Sequence, residues 1–116
     1  PRGCRVTAEG SLSAPTIVRS LDELARAIQC DAGVEPPSID FAKHQLHVAN
    51  FMLSPAYAGS ELFDDGKTVT FVQRDRSPCP DDPLPMPIGS SIAYLLPHGA
   101  ERAYAQRACP LPAQCD

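Results

Sequence analysis

The chain of 116 residues is long enough for one domain with a single modest core, and its 43% hydrophobic and 21% charged residues argue against disorder throughout. It carries a net charge of −4 and only two lysines, Lys43 and Lys67, with no run of basic residues, so no nucleic-acid partner is expected. No apolar run approaches the roughly 20 residues that cross a bilayer, so no membrane span is expected either.

The proline and cysteine contents indicate a loop-rich exported protein. The 13 prolines favour strands and irregular loops over a helical bundle, because proline lacks the N–H that helices and inner strands need. The 5 cysteines include no Cys-x-x-Cys pair, which favours disulfides in an oxidising compartment over a zinc site. Two bridges would leave one thiol over, and about 15 pairing patterns are open.

The first residues of the chain give an indication of its cellular location. Pro1 in place of Met indicates a mature or trimmed product, secreted or periplasmic. Cys4 follows a glycine, as in a lipoprotein acceptor site, so anchoring to a membrane through a removed or lipidated N-terminus stays open.

Two short strands and a helix are predicted in the first third. The strands cover residues 4–8 and 16–18. Ser20 and Glu23 form a capping box, in which the serine hydroxyl accepts from the Glu23 N–H and the glutamate reaches back. The helix is expected over 21–29, with one apolar face formed by Leu21, Leu24, Ala25 and Ile28.

The remaining elements are predicted to be strands. Residues 46–53 form a central strand, and 54–60 a loop. Residues 61–63 and 67–72 form a hairpin, whose turn at Asp64-Asp65-Gly66 fits a hairpin better than a calcium loop. Within it, Val69 and Phe71 share one face, and Thr68, Thr70 and Val72 share the other.

Two strands are expected in the last third, after a proline-rich loop over 75–89. The first covers residues 92–96 and is broken by Pro97-His98-Gly99. Residues 100–108 have high helix propensity, yet the preceding strand and short turn favour a return strand. The prediction is therefore an α+β fold: a small twisted antiparallel sheet or open barrel with one short helix, disulfide-bonded.

This topology leads to a prediction of cysteine pairing. In an antiparallel meander, strands 67–73 and 101–108 end at the same edge, so Cys79 and Cys109 should be neighbours and bridged. Cys30 would then pair with Cys4 or Cys115.

A family resemblance covers roughly residues 15–73. The run TIVRSLDELARAI, a proline loop and IDFAKHQLHVANFML resemble the PrcB-like accessory domain of bacterial protease complexes. In that family a strand and short helix lead into a D-F-x-K strand, matched here by Asp40-Phe41-Ala42-Lys43. The resemblance implies an exported bacterial, non-enzymatic domain whose partner is a protease or an envelope complex.

No catalytic signature and no cofactor motif is present. Gly89-Ser90-Ser91 lacks the second glycine of a nucleophile elbow, and no enzyme activity is expected. His44 and His47 cannot chelate a metal together if they lie on a strand, because residues three apart face opposite sides. The alternative function is a periplasmic copper-type metal-binding protein, using Met52, Met86, a histidine and the spare cysteine.

The most distinctive stretch is CPDDPLPMP, residues 79–87. Its prolines hold Asp82, Leu84 and Met86 in extended conformation. A stiff segment loses little entropy on binding, so these three residues are the predicted partner-binding site for another protein. The competing interpretation is a rigid crossover that buries Leu84 and Met86 against the sheet.

Overall fold

A computed structural model describes residues 3–53, 57–77, 79, 80, 86–113 and 115. The chain has an α+β fold with mostly antiparallel strands, one short helix and two disulfides among these residues. It divides into two compact units. The first unit consists of Pro1–Asn50 and Ser91–Glu101, and the second of Phe51–Ser90 and Arg102–Asp116.

The elements follow one another in a simple order. They are β1 (Cys4–Val6), β2 (Thr16–Val18), α1 (Leu21–Ala27), β3 (Ile28–Cys30), β4 (His44–Leu53), β5 (Tyr57–Asp64), β6 (Thr68–Arg76), β7 (Ile88–Pro97) and β8 (Ala103–Leu111). Three small sheets result, with the strand orders β1-β3, β2-β4-β7 and β5-β6-β8.

Helix α1 begins where the capping box predicts. Ser20 has extended backbone angles, and its Oγ accepts a hydrogen bond from the Glu23 N–H at 3.2 Å. The Glu23 carboxylate accepts in return from the backbone N–H of Arg19 at 2.9 Å, one residue before the cap. These bonds satisfy donors at the helix start that have no partner within the helix.

The end and the buried face of α1 differ from the prediction. The helix stops at Ala27, because residues 28–30 turn extended and pair with β1 as β3. The Ala27 carbonyl accepts from the N–H groups of Thr7 and Ala8 instead of continuing the helix. Leu24 and Ala27 are buried, whereas Leu21 is 69% exposed and Ala25 is exposed as well, so the predicted apolar face is wrong at these two positions.

The core of the first unit forms between α1 and the β2–β4 pair. It consists of Val18, Leu24, Ala27, Ile28, Leu46 and Val48. Half-buried side chains pack against it, including Cys4 and Cys30, which form a disulfide across directly paired positions of β1 and β3. This pairing confirms one of the two partners predicted for Cys30.

A buried polar network joins β4 to the turn after β7 within the first unit. Gln45 is 1% exposed, and its Nε2 donates to the Ala100 carbonyl at 2.8 Å. Its Oε1 accepts from the Gly99 N–H at 3.0 Å. The same Nε2 lies 2.9 Å from Nε2 of His47, which is 3% exposed. Because Gly99 fixes the amide orientation, both amide protons donate, and the His47 nitrogen accepts.

The sheet of the second unit contains the predicted hairpin. β5 and β6 are antiparallel and longer than expected; residues 57–60, predicted as loop, belong to β5. At the turn, the Asp64 carboxylate accepts from the Gly66 N–H, and Asp65 accepts from Lys67 and Thr68. Gly66 has φ +92°, a conformation that suits glycine. The aspartates therefore build the turn, as predicted.

Strand β8 confirms the strand prediction for residues 100–108 but corrects the topology. It pairs in parallel with β6, and β7 pairs with β4 rather than lying between them. The prediction of an antiparallel meander is therefore wrong, because β7 pairs with the edge of β4 that β2 leaves free. Contacts of Ser91 with Asn50 and of His98 with Lys43 show that β4 and β7 run antiparallel.

The D-F-x-K residues also differ from what the resemblance implies. Asp40, Phe41, Ala42 and Lys43 form a turn before β4 rather than a strand. The Asp40 side chain accepts from the Ala42 N–H, and its carbonyl accepts from Lys43 and His44. Aspartate favours such turns because its short carboxylate reaches the backbone two residues on.

Candidate functional site

The proline-rich segment begins at a covalent anchor. Cys79 forms a disulfide with Cys115. Of the three predicted binding residues, Asp82 and Leu84 lie outside the described residues. Met86 is described, and its side chain is 80% exposed. A methionine this exposed buries little area, so it contributes little to the stability of the fold.

The predicted Cys79–Cys109 bridge is wrong. Cys109 is a free, half-buried thiol. The parallel register explains the difference, because Arg76 at the end of β6 pairs with Leu111 at the end of β8. Cys79 follows the end of β6 by three residues, and Cys115 follows the end of β8 by four. Cys109 lies inside β8, opposite Arg74, and is too early to meet Cys79.

One face of the β5-β6-β8 sheet is buried along its central strand, β6. Val69, Phe71 and Gln73 alternate along β6 with exposures below 10%, and Tyr104 on β8 joins them. The Phe51 and Phe71 rings are 4.8 Å apart. The period-2 alternation predicted from the sequence is confirmed for β6.

The opposite face of this sheet carries arginines and is exposed or half-buried. We call it the arginine face. Beyond Thr68 and Ala103, its residues lie in four rows across β5, β6 and β8: Phe63, Thr70 and Ala105; Glu61, Val72 and Arg107; Gly59, Arg74 and Cys109; and Arg76 with Leu111.

The three arginines of this face are held differently. Arg74 forms an ion pair with Glu61, and its guanidinium passes over Gly59, where an added Cβ would lie 3.8 Å from it. Arg76 donates to the Pro112 carbonyl at 3.2 Å. The Arg107 side chain is exposed, and it makes no hydrogen bond or ion pair with the described residues.

The sequence analysis missed this face. Its signal lies in two runs: in TVTFVQRDR two arginines stand at strand spacing, and AYAQRACPL contributes one more. The parallel pairing of strands that are far apart in the chain brings them together. In the sequence itself, the arginines of β6 and β8 are far apart and form no cluster.

The histidines do not form a metal centre among the described residues. His44 and His47 both lie on β4, three positions apart, so their side chains point to opposite sides as predicted. His47 is buried in the Gln45 network, whereas His98 is exposed in a turn. Over the same part of the chain, no group of three or more His, Cys, Asp or Glu side chains could hold a metal ion.

A shallow apolar groove of about 440 Å³ lies beside α1 in the first unit. Leu21, Leu24 and Ile28 line one side, and Val34 and Pro36 line the other. Leu21 is the exposed residue that the helix leaves unburied. Nothing charged or strongly polar converges in this groove, so it has no visible catalytic chemistry.

Comparisons with known proteins identify no relative of this chain. Searches of family models, of curated proteins and of solved structures found no match. In the described residues, no helix is both long and apolar enough to cross a membrane. Two disulfides indicate folding in an oxidising, extracellular-type environment.

Proposed function

We propose that this chain is a non-catalytic exported domain that binds another protein, with the proline-rich segment as its contact site. The observation that carries the proposal is the 80% exposure of Met86 beside four closely spaced prolines. A stiff, extended segment with an accessible apolar side chain loses little entropy when it is bound in a groove. The Cys79–Cys115 bridge adds a covalent anchor at one end.

Two independent features support the class of partner that we propose. The disulfides support export to the cell envelope or beyond, as a secreted or periplasmic protein. Because the Cys4 sulfur is bonded to Cys30, Cys4 is not a lipid acceptor in this fold. The resemblance to the PrcB-like accessory domain favours a protease or an envelope complex as the partner. A protease cleft binds peptides in an extended conformation, and alternating prolines impose that conformation.

The test compares three alanine variants. Leu84→Ala and Met86→Ala should each weaken partner co-purification from the native host by about fivefold or more, as expected for central contact residues. Met52→Ala is the matched control, because Met52 is a comparably exposed methionine on β4, outside the segment. All three variants should melt close to the unmodified protein.

Two outcomes would contradict the proposal. Early melting of Leu84→Ala and Met86→Ala, with losses of about 2–5 kcal/mol, would identify the segment as a lid on the core. Stoichiometric copper or zinc in protein purified without chelator would instead favour the metal-binding alternative.

A further inference from the structure

The arginine face has a charge opposite to that of the whole chain. The chain carries 14 acidic and 10 basic residues, whereas this face has three arginines, Arg74, Arg76 and Arg107, and one acid, Glu61. Glu61 is already engaged by Arg74. Among the described residues, the charges of Arg76 and Arg107 thus have no acidic partner on this side of the sheet.

Apolar side chains lie between these charges. Val72 and Leu111 are half-buried, and Phe63 is 53% exposed. Val72 lies directly beside Arg107, and Leu111 beside Arg76. The face thus carries both an exposed aromatic ring and accessible guanidinium groups, residue types that are enriched at protein interfaces.

We infer that the arginine face binds an acidic, extended segment of a partner protein, in which carboxylates recur at every second residue. This inference rests on the proposed protein-binding function and names a second contact surface for it. Side chains on one face of a strand repeat at about 7 Å, and the same spacing separates alternate side chains of an extended peptide. Carboxylates two residues apart lie on the same side of such a peptide and can therefore reach successive arginines.

Two other occupants fit the charge pattern less well. A second copy of the chain in a symmetric pair would place this face against itself, which sets arginines against arginines. Nucleic acid offers a dense row of phosphates and generally needs many more basic contacts than three. An acidic peptide needs only a few.

Cys109 provides a direct readout, because it is a half-buried thiol in the third row of this face. The probe is a ten-residue peptide of alternating glutamate and leucine, and its charge-reversed counterpart replaces glutamate by lysine. The measured quantity is the rate at which N-ethylmaleimide alkylates Cys109 in the intact, oxidised protein. At twice its dissociation constant, the acidic peptide should slow alkylation about threefold.

Two variants locate the effect. Arg107→Gln should abolish the protection, and added salt should weaken it, because exposed charges are screened. Arg19→Gln is the matched control, since Arg19 is an exposed arginine in the first unit. It should leave protection unchanged. Thermal melts of both variants should match that of the unmodified protein, because neither side chain is buried.

Several results would overturn the inference. These are equal protection by the lysine peptide, no protection by the acidic one, or equal losses in Arg107→Gln and Arg19→Gln. Stronger protection by an oligothymidylate would assign the face to nucleic acid, and protection that grows with protein concentration alone would assign it to self-association. If partner co-purification persists while peptide protection is absent, the inference fails and the proposed function stands.

Discussion

The Ser20 hydroxyl is the side chain that defines the start of α1. Ser20→Ala removes the acceptor for the Glu23 N–H and should lower the free energy of unfolding by about 1 kcal/mol. Ser38→Ala is the matched control, because Ser38 is an exposed loop serine. Urea unfolding monitored by circular dichroism measures both. Equal stabilities would mean that the helix does not depend on this cap.

The Asp65 carboxylate illustrates how one turn residue links stability to pH. Hydrogen bonds from the backbone of Thr68 and Lys67 lower the pKa of Asp65 below its ordinary value of 3.8. A depressed pKa in the folded state gives stability that is present above pH 3.8 and is lost as the pH falls through the lowered pKa.

The variant Asp65→Asn can keep the hydrogen bonds but loses the charge. We expect its stability deficit relative to the unmodified protein to be largest at neutral pH and to shrink below pH 3.8. Thermal melts across this acidic range measure the difference. A deficit that stays constant with pH would contradict the account of the turn.

At the scale of elements, Gln45 couples β4 to the turn after β7. Gln45→Met keeps the side-chain length but leaves the Gly99 N–H and Ala100 carbonyl without this partner. Each unsatisfied group costs about 1–3 kcal/mol when water cannot replace the bond, so the variant should be clearly destabilised. Gln29→Met on the exposed side of β3 should change stability by only a few tenths of a kcal/mol.

Chemical denaturation of Gln45→Met and Gln29→Met measures the loss of stability in each variant. Similar small losses in both would show that water reaches the turn and replaces the Gln45 bonds.

At the scale of the whole molecule, two disulfides join positions 26 and 36 residues apart. Peptide mapping under non-reducing conditions should recover Cys4–Cys30 and Cys79–Cys115, with alkylation confined to Cys109. Replacing either bridged pair by alanine should cost about 3 kcal/mol. A recovered Cys79–Cys109 peptide would contradict the parallel register of β6 and β8.

The sequence by itself determined the features whose causes lie within a few neighbouring residues. The capping box placed the start of α1, the Asp-Gly turn placed the hairpin, and alternation placed Val69 and Phe71 on the same face. An odd number of cysteines already required a free thiol if disulfides formed. Each of these signals is local, because side chains act on their own backbone or on a nearby turn.

The tertiary structure decided what depends on distant pairing. The end of α1 was decided by the pairing of β3 with β1, and the free cysteine by the register of β8 along β6. The arginine face has the same origin, since Arg74 and Arg107 meet only through that register. Local propensity carries no information on which strand lies beside which, because that choice depends on packing between segments far apart in the chain.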